Sequence, residues 1–310
     1  GEYKNGVAIY IQEINGILKF GLIDKSENEI TEAIFDRIFS FRNNRAAVLM
    51  DNKYGYIDNM GNLIVDCIYD WFFPFSENHA AVKLATKWGF IDIFGGAKIP
   101  FMYESALPFF LFFSRVKFDG KSGYIDNSGN IAIPFIYDGG HEFSEGLASV
   151  LKKDKFVFIN RSGDVAIPNL FDLAFSFSEG LAAIHISSKS GYIGHDGELV
   201  IPMNYDMAWP FCGNLGMIMI NNKRGFIDAS GKEVISCKYT FATSFNDKLV
   251  LVKEEGLFGT CGFIDQYGEV VIPIKYDWID GVGFLHGLCQ VQLNKKMGYI
   301  DKQGNEIFAK

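Results

Sequence analysis

The chain has 310 residues, 48% of them hydrophobic and 21% charged, which supplies a core and excludes a disordered composition. A net charge of −8 and a pI near 5.2 exclude binding of nucleic acid or anionic membranes through bulk charge. No apolar run reaches the roughly 18 residues of a membrane helix. The five cysteines (Cys67, Cys212, Cys237, Cys261, Cys289) are widely spaced and lack a C-x-x-C pair, so neither a disulfide framework nor a zinc site is expected. With 30 Phe, 14 Tyr and 33 Gly, the composition points to aromatic strands joined by tight turns. The opening Gly1-Glu2-Tyr3-Lys4-Asn5 has no charged-then-apolar signal pattern, and cell envelope and cytoplasm both stay open as compartments.

One motif runs through the chain: Lys, any residue, Gly, aromatic, Ile, Asp, two residues, Gly. A worn first copy is Lys19-Phe20-Gly21-Leu22-Ile23-Asp24, followed by Lys53-Tyr54-Gly55-Tyr56-Ile57-Asp58 and Lys87-Trp88-Gly89-Phe90-Ile91-Asp92. Lys121-Ser122-Gly123-Tyr124-Ile125-Asp126 comes next, then a worn fifth copy, Lys155-Phe156-Val157-Phe158-Ile159-Asn160. Later copies centre on Gly191, Gly225, Gly262 and Gly298. The first glycine recurs every 34 residues or twice that as far as Gly225, and the last two steps are 37 and 36, so insertions lie only near the C-terminus. This arithmetic defines one repeat domain, 1–310, with nine units at about 7–30, 46–65, 80–100, 115–134, 147–168, 181–202, 215–236, 249–273 and 288–307.

Each unit reads as three strands; in the fourth they are 115–118, 123–126 and 130–134. Asp126-Asn127-Ser128-Gly129 is a hairpin signal, which makes the Asp column a turn device. The glycine before the aromatic marks close approach, expected from an aromatic of a neighbouring unit. Pro100, Pro134, Pro168, Pro202 and Pro273 are expected to end the third strand, and Pro74, Pro108 and Pro210 to lie in the connector. That connector carries Tyr-Asp or Phe-Asp (Tyr69-Asp70, Tyr137-Asp138, Phe171-Asp172) and, five residues after the acid column, Phe41, Phe75, Phe109, Phe143, Phe177, Phe211 and Phe245. These aromatics are expected to fill the space between units, because a three-stranded meander of this size needs a partner for its apolar face.

The pattern resembles the WG repeat family, also called KWG repeats and common in bacterial proteins, most literally at Lys87-Trp88-Gly89-Phe90-Ile91-Asp92. The resemblance covers essentially the whole chain and implies a repeat scaffold without naming an activity. The first and last units are complete in the same phase, with no unit split between the termini, and nine exceeds the usual blade number of a propeller. The expected fold is therefore all-β: nine three-stranded meanders in an open or superhelical solenoid-like stack, with a closed propeller-like ring as the alternative.

Chemistry is sparse. His79, His141, His185, His195 and His286 share no metal-ligand spacing, and no nucleophile elbow, phosphate loop or dinucleotide fingerprint is present, so no metal, cofactor or catalytic residue is assigned. The candidate binding residues are the run Phe109, Phe110, Phe112 and Phe113, which replaces the usual Ser-Glu-Gly, and the lysine column, above all Lys53, Lys87 and Lys121, which stacking would align into a ladder for an acidic partner. The plainer reading of that column is an edge that lysine protects from aggregation. A non-catalytic scaffold for a protein or peptide partner is expected, without nucleic acid or membrane insertion. The alternative is a carbohydrate or cell-envelope module using exposed aromatics. An enzyme site around His195 or the insertion 254–261 is the least favoured.

Overall fold

The computed structural model describes residues 6–42, 44–245, 248–254, 259–280, 284 and 287–308. Every regular element among them is a β-strand. The strands form nine small antiparallel sheets in chain order, each an up-and-down meander. Packing divides the chain into two compact units, Gly1–Phe143 and Ser144–Lys310.

The second sheet shows the plan. Its strands are Arg37–Ile38, Arg45–Met50, Lys53–Asp58 and Leu63–Tyr69. The three-strand reading missed the first of these. It is only two residues long and comes from the connector, where Arg37 and Ile38 pair with Leu49 and Val48. The first sheet has three strands among the described residues, Val7–Ile14, Ile17–Asp24 and Glu29–Phe35.

That fourth strand corrects the architecture. An open or superhelical stack of three-stranded units is contradicted: the chain is a nine-bladed β-propeller, the arrangement held as the alternative. Four-stranded antiparallel sheets repeated along the chain are the units of a propeller. Because the connector is itself a strand, complete units at both termini carry no information about openness.

Each blade has two ends. At one, a tight turn joins the second and third strands; Asp51 and Asn52 take φ of 52° and 61° there, as a two-residue hairpin requires. The Tyr-Asp corner lies at this same end. The other carries the connector loop between the first and second strands and the turn after the motif's Asp. In that turn the Asp58 carboxylate accepts the Met60 and Asn62 N–H groups, each at 2.9 Å, and Gly61 has φ 80°. Equivalent bonds recur at Asp24, Asp92, Asp126, Asp265 and Asp301, so the Asp column does serve the turn.

The glycine column has a different cause from the one expected. A Cβ on Gly55 would lie 2.4 Å from the Val65 carbonyl oxygen and 2.8 Å from Cys67 Sγ, both in the fourth strand of its own blade. Pairing there jumps from Tyr54↔Tyr69 to Tyr56↔Val65, so a bulge presses its backbone against the glycine. The prolines use the same irregularity. Pro100, Pro134, Pro168, Pro202 and Pro273 lie inside strands that run on to the Tyr column, at the bulge where no ladder hydrogen bond is needed. Pro210 likewise falls in a strand, Met207–Cys212, at a register shift.

The core lies between blades. Ala47, Tyr56, Val65 and Tyr69 of the second blade pack against Phe75, Ala80, Val82 and Ile91 of the third. Phe109 is buried against Phe90, with ring centroids 4.8 Å apart. The connector aromatics are thus the filling between units. Burial also pushes the Tyr56 hydroxyl well above its ordinary pKa, while that hydroxyl donates to the Phe73 carbonyl at 2.8 Å.

Candidate functional site

The lysine column does not form a ladder of available cations. Lys53 Nζ lies 2.5 Å from Asp70, Lys19 2.6 Å from Asp36 and Lys189 2.9 Å from Asp206; Lys121–Asp138 and Lys155–Asp172 form the same pair. The second oxygen of Asp70 accepts the Ala85 N–H from the tight turn of the following blade at 2.6 Å, and Asp36, Asp172 and Asp206 do the same. Each such Asp ties one blade to the next. The lysine hydrogen bond holds the Asp70, Asp172 and Asp206 carboxyls below the usual carboxylate range. Lys87 differs, since Glu104 stands where the Asp would be and accepts the Gly120 N–H at 3.1 Å. Among the described residues Lys87 has no ion pair.

The phenylalanine run separates into two kinds of residue. Phe109 is core, and Phe113 is half-buried with its ring 5.3 Å from Phe143. Phe110 and Phe112 stand out of the connector loop, 51% and 63% exposed. The loop keeps the geometry of its counterparts. Leu111 and Phe112 take φ of 51° and 71°, the left-handed values that Glu145 and Gly146 or Glu179 and Gly180 take elsewhere. It is held from the preceding blade by Ser76 Oγ, which donates to the Phe109 carbonyl at 2.6 Å, and by Glu77, which accepts the Phe112 N–H at 2.9 Å.

That Ser-Glu pair is a second tie between blades, which sequence reading treated only as connector. Ser144 and Ser178 donate to the Phe177 and Phe211 carbonyls at 2.7 Å, while Glu145 accepts the Gly180 N–H and Glu179 those of Gly213 and Asn214. In the fourth blade Phe110 and Leu111 occupy the Ser and Glu positions.

Two further repeat-breaking residues lie at the same end of the neighbouring blades. Met60 and Phe94, at the tips of the Asp turns, are 72% and 80% exposed. Later copies carry Ser128, Ser162, Asp196, Ser230 and Gln303 at that position, and the eighth carries Tyr267, itself 71% exposed. An Arg45 Nε hydrogen bond to the Ile93 carbonyl, 3.2 Å, joins the connector loop of the second blade to the turn carrying Phe94. Met60, Phe94, Phe110 and Phe112 therefore share the loop end of three consecutive blades. Met60 and Phe94 escaped sequence reading, although aligning the tip column exposes both.

The titratable oddities resolve into packing. His195 stacks on Phe177 with centroids 4.2 Å apart and sets Nε2 3.2 Å from Glu145. His79 lies against Phe109, and His185 bonds Ser190. Burial lowers the His141 pKa. His286 and residues 255–258 of the insertion lie outside the described residues. Among the described residues no cluster of three His, Cys, Asp or Glu is placed to hold a metal, and the five cysteines are free. Burial pushes Cys67 up to about 11, the opposite of an activated thiol.

The profile described as "WG containing repeat" matches residues 20–54, 54–87, 88–121, 123–156, 158–189, 191–223, 225–258 and 262–296. No curated protein is matched. Among solved structures, a eukaryotic initiation factor is similar over 98% of this chain and 96% of its own, at 11% identity and a TM-score of 0.65. BamB from Moraxella catarrhalis aligns over 86% and 91% at 10% identity with a TM-score of 0.46, and Hsv2p from Kluyveromyces lactis over 74% and 92% at 10% identity with 0.44. At such identities the first of these speaks for the fold alone.

Proposed function

The chain belongs to the WG containing repeat family, and on that premise we propose that it is a non-catalytic scaffold binding a protein or peptide segment at the loop end of its second, third and fourth blades. One observation carries this reading. Leu111 and Phe112 occupy left-handed turn positions that the third, fifth and sixth blades give to Glu with Gly or Asn, and Phe112 is 63% exposed there. A bulky side chain in that conformation costs about 1 kcal/mol, and an exposed ring returns little of it to the fold. With Phe94, Phe110 and Met60 at the same end, the result is an apolar surface of the kind that marks an interface.

A carbohydrate reading draws on the same rings. The peptide reading is favoured because the polar side chains beside them are engaged within the fold, Ser76 on the Phe109 carbonyl and Glu77 on the Phe112 N–H. Sugar recognition needs convergent polar groups as well as a stacking face. A photoreactive phenylalanine at position 112, with Ser162 substituted in parallel as control, tests the site in cells. A discrete protein adduct from position 112 and none from 162 is expected. Equal labelling at both, or hits on a glycan array without any protein adduct, would overturn the reading.

A further inference from the structure

The corner between the seventh and eighth blades breaks the repeat twice. The seventh blade is Met207–Cys212, Leu215–Ile220, Lys223–Ile227 and Glu233–Tyr239, and Phe241–Ala242 opens the eighth. The corner joining them reads Tyr239-Thr240, whereas every other corner carries Asp or Glu after its aromatic. Lys189 reaches Asp206, 17 positions on, at 2.9 Å. The residue 17 positions on from Lys223 is Thr240.

Arg224 is the second break. It is the only charged residue in the column before the motif glycine, which other copies fill with Phe, Tyr, Trp, Ser, Cys or Met. Its guanidinium lies 5.0 Å over the Trp209 ring and 4.9 Å over that of Phe241, and Nη1 donates to the Ala242 carbonyl at 2.6 Å. The group is thus held from both blades. Burial lowers its pKa. Among the described residues neither Lys223 nor Arg224 has an ion pair.

One corner has therefore lost its acid and gained a cation, in a chain whose net charge is −8. The fold asks for neither change, since Asp206 and Ser190 fill the same two positions at the preceding corner. A guanidinium held over two rings has shed part of its water, which strengthens its attraction for an anion. Two cations without an acid match a dianion: a phosphate monoester meets both, whereas a carboxylate neutralises one. No enclosed cavity is needed, because corners of this kind face solvent. The Lys189 and Asp206 side chains are 48% and 35% exposed, and Phe241 is 37% exposed.

We infer that this corner binds a phosphate monoester, with Lys223 and Arg224 as its cations and Thr240 standing where an Asp would repel it. The site lies at the turn end of the blades and does not depend on the interface proposed for the loop end. The ester belongs either to a small free compound or to a phosphorylated side chain of a partner, two sources with the same chemistry.

Equilibrium dialysis of the whole chain against radiolabelled inorganic phosphate, at about pH 7.5 and constant ionic strength, tests the site where the probe is largely dianionic. Saturable binding of one equivalent is expected, with acetate competing about tenfold less well than glycerol phosphate. An acetylated, amidated phosphoserine tripeptide that competes better than glycerol phosphate assigns the ester to a partner chain; one that competes no better assigns it to a free compound. Arg224→Gln should weaken phosphate binding by about tenfold. Thr240→Asp restores the corner of the other blades, so it should abolish binding while its urea midpoint equals or exceeds that of the parent chain. Lys189→Gln, at the preceding corner, should leave binding unchanged. Absence of saturable binding, acetate competing as well as glycerol phosphate, binding that survives Thr240→Asp, or an equal loss in Lys189→Gln overturns the site.

Discussion

The connector loops of the fourth and sixth blades have one backbone and opposite chemistry. In the sixth, Ser178, Glu179 and Gly180 make a turn whose side chains hold the next blade through the Phe211 carbonyl and the Gly213 and Asn214 N–H groups. In the fourth, Phe110, Leu111 and Phe112 occupy the same positions at similar φ and turn two of their rings to solvent. One loop is accounted for entirely by the fold. The other departs from what the fold favours, and that difference separates architecture from interface in a repeat protein.

Substitutions sharpen the contrast. The largest effect belongs to the column the two loops share. Phe109→Ala and Phe177→Ala should each cost about 3–5 kcal/mol in urea unfolding, because both rings are buried. Phe110→Ala, one residue away, should stay within about 0.5 kcal/mol. A cost for Phe110→Ala approaching that of Phe109→Ala would make the exposed ring structural and erase the distinction.

At the turn itself the sign should invert. Phe112→Gly should stabilise the protein by about 1 kcal/mol, and Gly180→Phe should destabilise it by at least as much, since the fourth blade carries the strained residue and the sixth the relaxed one. Ser178→Ala should cost about 1 kcal/mol through the lost bond to the Phe211 carbonyl.

The smallest expected effect concerns the opposite end of the blades. Asp70, Asp172 and Asp206 have folded pKa values below their unfolded ones, chiefly through the lysine hydrogen bond. The stability they add is complete above the ordinary carboxylate value of about 4 and falls as pH drops through the lowered folded values. Lys53→Gln should flatten this acid dependence of the urea midpoint between pH 7 and 3. Lys87→Gln, which has no Asp partner, should leave it unchanged. Equal flattening by both would show that the column acts through net charge alone.

Much of the fold was legible because it repeats. A 34-residue step, Asp-x-x-Gly turns and aromatic columns define strands, hairpins and the packing between units. The fourth strand was not legible, because two residues such as Trp71-Phe72 leave no alternation to read, and without it the blade looks like a three-stranded stacking module. The glycine column was readable as a close approach but not as a bulge in the same blade, since the extra residues show only in the pairing register. Of the proposed site, the phenylalanine run stood out as a departure from the repeat. Burial then kept Phe109 for the core and left Phe110 and Phe112 outside. The lysines looked like a ladder because their partners, the Asp residues 17 positions later, belong to a different column of the repeat.

The most direct test joins stability and binding in one variant. Phe110→Ser/Phe112→Gly restores residues that other copies carry in this loop, and its urea midpoint should equal or exceed that of the parent chain while capture of the partner cross-linked at position 112 is lost. A lower midpoint with capture intact would contradict the central claim, because those two rings would then serve the fold and not the interface.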